Sequence, residues 1–129
     1  MLNTSINTKK QGDIGLGIAI GWFSEKGYTV SIPLTDSQDY DLVVDINNVL
    51  NRVQVKTTNY KRKGNFCVSL TVKGGNRSAT GRIKKLDKDL VDLFWILTNE
   101  RTVYLIPTKD IKTSSSITLA SKYDKYKVN

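Results

Sequence analysis

Two runs rich in β-branched residues, Leu42-Val43-Val44-Asp45-Ile46 and Arg52-Val53-Gln54-Val55-Lys56, stand on either side of Asn47-Asn48, and no other stretch of the chain narrows the possible folds as far. Branched side chains favour extended backbone and Asn suits tight turns, so the segment predicts a β-hairpin. If Asn47 and Asn48 form a two-residue turn, Ile46 pairs with Val49, and counting outward sets Asp41 opposite Gln54. Lys56 joins them through the two-residue strand period. Leu42, Val44, Val53 and Val55 then share the other face, so one side is apolar and the other collects a carboxylate, an amide and an amine. A longer loop through Leu50 and Asn51 would slide Asp41 off Gln54, and a slip of a single residue would separate the faces.

Those three groups suit phosphodiester hydrolysis. That reaction needs a hard cation with open positions, a water deprotonated near neutral pH, and a positive group to orient the water or relieve charge in the transition state. The Asp41 carboxylate, the Gln54 amide oxygen and the Val55 backbone carbonyl are hard oxygen donors. Mg²⁺ usually takes only one or two carboxylates and keeps several waters, so the set makes a lean site. A half-solvated sheet shows the same polar pattern, and the spacing alone leaves both readings open.

Beyond the hairpin, Lys10-Gln11-Gly12-Asp13-Ile14-Gly15, a helical stretch ending at Lys26-Gly27-Tyr28, the extended Val30-Ser31-Ile32-Pro33, Tyr40-Asp41-Leu42-Val43-Val44 and Val53-Gln54-Val55-Lys56-Thr57 together resemble the core of the PD-(D/E)XK nucleases in order and spacing. The resemblance covers residues 9–58 by motif and, more vaguely, 92–107. Within that superfamily the chain is similar to the small resolvase-like group that includes group I intron homing endonucleases, some of which also carry Gln in place of the motif's acid. It implies a restriction-endonuclease-like core: an α/β single domain with a mixed central β-sheet of about five strands flanked by helices. It further implies Asp41 as the central metal ligand, Gln54 in the second ligand position and Lys56 as the catalytic lysine. Two departures stand out. Gln54 lacks the negative charge of a Glu, and many relatives have Gly-Glu in the first helix where this chain has Gly15-Leu16. Asp13 lies one helical turn before Leu16, where it is either a further catalytic acid and metal ligand or an acid favoured by the helix N-terminal dipole.

Charge points the same way. Residues 1–46 hold three Lys and six acids, for −3; residues 47–88 hold eleven Lys plus Arg and one acid, for +10; residues 89–129 come to +1. Such a concentration is the footprint expected of a phosphate-backbone binder, although charge runs are usually solvated faces. Lys61, Arg62, Lys63, Lys73, Arg77 and Arg82 are the candidate DNA contacts. Gly74 to Gly81 reads as a polar loop that closes on a DNA backbone, or as simple surface disorder. No amphipathic basic helix with bulky apolar anchors is present to favour a membrane surface. With no His and one Cys, zinc chemistry and Ser-His or Cys-His catalysis are excluded, and Cys67 reads as a small buried hydrophobe.

The length suits one domain spanning residues 1–129, with 1–9 as a flexible arm and 121–129 as a tail that is disordered or orders on a partner. A first helix is expected from about Asp13 to Lys26, with Ile14, Ile18, Ala19, Trp22 and Phe23 on its core face and Gly27 ending it. Strands follow at Tyr28 to Leu34, in the hairpin, at Phe66 to Val72, and at Leu93 to Leu97 and Thr102 to Ile106. A short helix near Thr108 to Ile111 and an edge strand at Ser114 to Leu119 complete the domain. No apolar run is long enough to span a membrane and the polar N-terminus lacks a signal-peptide pattern, so a cytoplasmic, DNA-associated location is expected. The function expected is a Mg²⁺-dependent endonuclease acting site-specifically on double-stranded DNA as a homodimer or homotetramer. Junction resolution, a non-catalytic DNA-binding module of the same fold, and an RNA-binding domain are the alternatives.

Overall fold

The computed structural model describes residues 7–73 and 83–128, leaving aside the side chains of Lys73, Ile83 and Lys84. The chain forms α1 (Thr8–Glu25), β1 (Thr29–Ser31), β2 (Leu42–Ile46), β3 (Val49–Thr58), β4 (Lys61–Arg62), β5 (Asn65–Ser69), β6 (Val72–Lys73), β7 (Ile83–Lys84), β8 (Leu93–Thr98), β9 (Val103–Pro107) and β10 (Ser116–Thr118), with short 3₁₀ turns at Thr108–Asp110 and Ser121–Tyr126.

The central sheet has five strands in the order β1-β2-β3-β8-β9. It is mixed, because β3 and β8 run parallel while the other neighbours are antiparallel. The hairpin at its centre has the register expected, from Ile46 opposite Val49 to Leu42 opposite Val53. Asn47 (φ 53°) and Asn48 (φ 71°) both adopt left-handed backbone, the pair of conformations that matches a two-residue turn to the twist of its strands.

Strand β8 is buried on both faces, which explains its unbroken apolar run Phe94-Trp95-Ile96-Leu97. The strand period sends Trp95 and Leu97 into a cluster with Ala19 and Phe23 of α1 and with Leu42, Val44 and Val53 of the hairpin. Phe94 and Ile96 join a second cluster with Val68, Leu70, Ile117 and Tyr123. The second face is therefore covered by a three-stranded sheet, β10-β5-β4, and by the C-terminal segment. The Phe66 to Val72 strand, expected among the strands of the main sheet, instead belongs to this separate layer, where β10 pairs with it from Ser116 opposite Ser69 to Thr118 opposite Cys67.

Two boundaries and one buried face depart from the sequence reading. Helix α1 begins at Thr8 rather than near Asp13, because Asn7 caps it by accepting the Lys10 N–H on its side-chain oxygen at 2.9 Å, so residues 8 and 9 of the expected arm are helical. Its fully buried stripe is Gln11, Gly15, Ala19 and Phe23, with Ile14, Ile18 and Trp22 only partly covered. The C-terminal segment is ordered through Val128: Tyr123 is buried, the Tyr126 hydroxyl donates to Asp110 at 2.8 Å, and the Val128 N–H donates to the Val103 carbonyl at 3.0 Å. That last bond covers the outer edge of β9, which would otherwise offer unpaired backbone groups.

A bidentate ion pair fastens the parallel crossover. Asp92 accepts the Arg52 N–H at 2.8 Å and the guanidinium Nε and Nη2 at 3.0 Å each. The Arg52 side chain holds the Asp92 carboxyl below its usual range. A depressed folded pKa contributes stability above the unfolded value near ~3.9 and loses it as pH falls through the folded value. Both side chains are more than a third exposed, so solvent screening limits the contribution to about 1 kcal/mol. Asp92→Asn is therefore expected to lower the urea midpoint near neutral pH and to match the parent once the pH is well below ~3.9, where the parent's own carboxyl is protonated. A difference that persists undiminished in acid would show that packing, not charge, is responsible.

Candidate active site

At the open end of the hairpin the two strands part. The Asp41 N–H donates at 2.8 Å to the carbonyl of Val53, the residue already registered with Leu42, so two residues of one strand face one of the other and the chain bulges. Beyond that point the Asp41 side chain takes the place of the departing strand, its Oδ2 accepting the Val55 N–H at 2.8 Å. The carboxylate is thus anchored one residue farther along β3 than simple counting placed it. A strand residue directs its N–H and C=O to the same edge, so the Val55 carbonyl faces the gap that β2 vacates. Lys56 is held separately, its Nζ donating to the Thr71 carbonyl at 2.8 Å.

Asp41, Gln54 and Lys56 all line one cavity of about 530 Å³. Its other walls are the start of α1 at Thr8 and Gly12, the loop from Asp36 to Tyr40, and the segment from Ser69 to Val72. Burial pushes the Asp41 carboxyl up, against the Val55 N–H and Lys56, which draw it down. Burial likewise pulls the Lys56 amine down from its ordinary value, with Asp41 opposing. Each charge is costly in this setting without the other.

The donor chemistry fits a hard cation. One Asp41 oxygen is engaged by Val55, which leaves the other, together with the Gln54 amide and the Val55 carbonyl, as oxygen ligands. Among the described residues no group of three or more His, Cys, Asp or Glu could hold an ion, so a cation here would keep much of its water shell, as Mg²⁺ does.

The remaining candidates are placed differently. Asp13 is exposed and does not line the cavity, although its neighbour Gly12 does, because the turn that directs Gln11 and Gly15 at the sheet points Asp13 outward. Lys61 pairs with Glu100 at 2.7 Å and lies 4.7 Å from the centre of the Phe66 ring. Arg62 and Lys63 are exposed at the tip of the β4–β5 hairpin, where Lys63 (φ 52°) and Gly64 (φ 84°) make the turn. Arg77, Arg82 and the Gly74–Gly81 loop lie outside the described residues, as does the side chain of Lys73. Cys67 is half-buried, with its sulfur 3.7 Å from Thr118 Oγ1. Sequence reasoning did not foresee the Thr71 carbonyl that holds Lys56, a backbone group with no signature in residue type.

A mixed five-stranded sheet with a helix on one face, and an acid and a lysine where its central hairpin splays, define a restriction-endonuclease-like nuclease core. The PD-(D/E)XK endonuclease profile matches residues 6–127, and the chain belongs to that family. Among solved structures it is similar to a bacterial homing endonuclease, I-Ssp6803I, at 27% sequence identity and a TM-score of 0.76, over 95% of this chain and 89% of that one. Among curated proteins none matches.

Proposed function

We propose that the chain is a Mg²⁺-dependent endonuclease that hydrolyses phosphodiester bonds of duplex DNA at specific sites. The observation that carries this reading is the convergence of Asp41, Gln54 and Lys56 on one cavity beside a free strand edge. Asp41, Gln54 and the Val55 carbonyl would hold the cation, which when bound lowers the pKa of a coordinated water and offsets charge on the phosphate. Lys56, fixed by Thr71, orients the attacking water and offsets the negative charge that develops on the phosphate oxygens. Arg62 and Lys63, and Lys61 where Glu100 releases it, would contact phosphates, as exposed basic side chains can. The similarity to a homing endonuclease supports a site-specific duplex substrate over a four-way junction. One site cuts one strand, so a double-strand break calls for a homodimer or homotetramer. No helix among the described residues is long and apolar enough to cross a membrane, and a cytoplasmic, DNA-associated location accords with that.

Gln54 favours a second reading, a DNA-binding module that kept the fold after losing its acids. The two separate on incubation with plasmid, long genomic DNA and synthetic four-way junctions, in Mg²⁺ or in EDTA. Discrete cleavage ends in Mg²⁺ that vanish in EDTA are expected. Binding to all three substrates with no cleavage in Mg²⁺ or Mn²⁺ would leave only the module.

A further inference from the structure

Lys56 carries its amine on a flexible four-carbon stem, so whatever fixes that amine decides how well it can orient a water. Its partner, the Thr71 carbonyl at 2.8 Å, belongs to the link between β5 and β6, not to the sheet that carries Lys56. Up to residue 70 this layer is held by backbone and core: Ser69 pairs with Ser116, the Leu70 N–H donates to the Ser115 carbonyl at 2.9 Å, and the Leu70 side chain is fully buried. Thr71 is held by a side chain instead. Its N–H donates to Ser69 Oγ at 3.3 Å, and the Ser69 and Thr71 hydroxyls share a hydrogen bond at 2.7 Å. A Ser hydroxyl that accepts the N–H two residues on closes a tight turn, here around Leu70. Ser69 and Thr71 both line the cavity that holds Asp41, Gln54 and Lys56.

We infer that Ser69 is a positioning residue for Lys56: by holding Thr71 at both its N–H and its hydroxyl, it aims the Thr71 carbonyl at the amine. The inference rests on the reading of Lys56 as the catalytic lysine. The contacts form a short chain in which Leu70 fixes the turn in the core, Ser69 fixes Thr71 relative to Leu70, and the Thr71 carbonyl receives the ammonium. A carbonyl is neutral, so it tethers the ammonium without cancelling the charge that the phosphate is to meet. Without the Ser69 oxygen, Thr71 loses both bonds that orient its backbone. A displacement of about 1 Å at a reacting group can cost about a hundredfold in rate.

The test is single-turnover DNA cleavage in Mg²⁺, with melting temperature and DNA affinity recorded for every variant. Ser69→Ala is expected to slow cleavage about tenfold while changing DNA affinity less than about twofold. Ser69→Thr keeps the oxygen and is expected to recover the rate to within about threefold. In the Lys56→Met background, Ser69→Ala is expected to slow the residual cleavage less than about twofold, because the amine through which Ser69 acts is gone. Equal slowing in both backgrounds makes Ser69 a structural or substrate-binding residue and overturns the inference. A second readout needs neither DNA nor metal. In nuclear magnetic resonance spectra at mildly acidic pH, the Lys56 ammonium protons, slowed in their exchange with water by the bond to Thr71, are expected to give a correlation that Ser69→Ala loses; its persistence unchanged overturns the inference. A parent protein that cleaves no DNA in Mg²⁺ or Mn²⁺ removes Lys56 from catalysis and takes the inference with it. A parent that cleaves, with Ser69→Ala equally fast, removes the inference alone. Should Ser69→Ala not fold, Thr71→Val decides: it takes away the bond between the hydroxyls and is expected to slow cleavage about threefold, and an undiminished rate overturns the inference.

Discussion

Lys56→Met is expected to lower single-turnover DNA cleavage by about three orders of magnitude while leaving the protein nearly as stable as its parent. The amine lies in the cavity with Asp41 and Gln54, tethered by its bond to the Thr71 carbonyl. Burial draws its pKa down, so the charged form is less favoured in the folded protein than in the unfolded chain, and removing it relieves that penalty. Met fills a similar volume without the charge. Against this, the Thr71 carbonyl loses its donor, at a cost of about 1–3 kcal/mol if water cannot replace it. Asp41 loses a compensating cation as well, so its carboxyl is pushed further up. These terms oppose one another, and the urea midpoint should move little. Lys56→Arg keeps a charge but replaces a compact ammonium by a planar fork that cannot reproduce the Thr71 bond in the same space, so it should not restore the rate. Near-parental cleavage by Lys56→Met would remove Lys56 from the chemistry and with it most of the case for this cavity.

The parts of this site that could be read in advance are those set by neighbours in sequence. Asn47-Asn48 determines the turn, the turn determines the register, and the register puts Gln54 and Lys56 on one face; all of this follows from residue type and a period of two. Position 41 shows where such counting stops. Whether Asp41 continues the ladder or bulges depends on where β2 leaves the sheet, and residue type within β2 does not record that point. Asp39 is of a residue type that suits turns, and its burial in the cavity wall has no signature in the sequence.

The fold shows the same division. The run Leu93 to Leu97 predicted a strand, and the structure buries it on both faces, with Trp95 and Leu97 in one cluster and Phe94 and Ile96 in the other. The assignment of Phe66 to Val72 to a second layer did not, because a strand's residues do not record which sheet it joins. The exposed run of basic residues also lost some of its free charge on folding, when Glu100, distant in sequence, came to pair with Lys61.

Gly15 couples this packing to the site, and Gly15→Ala is expected to destabilise the protein by about 2 kcal/mol, opposite in sign to the same change elsewhere in α1. A Cβ at position 15 would lie 2.3 Å from the Cγ2 methyl of Thr57 and 3.8 Å from Cγ1 of Val55. Thr57 is β-branched, stiff at its first side-chain torsion, and fixed in β3 by its pairing with Leu97, so it has little freedom to step aside. The helix must instead back away from the sheet. Overpacking of this kind costs about 1–3 kcal/mol, more than the ~1 kcal/mol that Ala gains over Gly in a helix. A methyl at position 17 or 21 would meet nothing within 4 Å, so Gly17→Ala and Gly21→Ala are expected to stabilise by about 0.4–1 kcal/mol each. Because Thr8 and Gly12 at the start of the same helix form one wall of the cavity, retreat of α1 should also slow cleavage. Thr57→Ser removes the obstructing methyl, and in that background Gly15→Ala should recover most of the lost stability. Chemical denaturation of the four proteins in this cycle measures the coupling, and additive effects at positions 15 and 57 would show that close contact between helix and strand is not what requires glycine there.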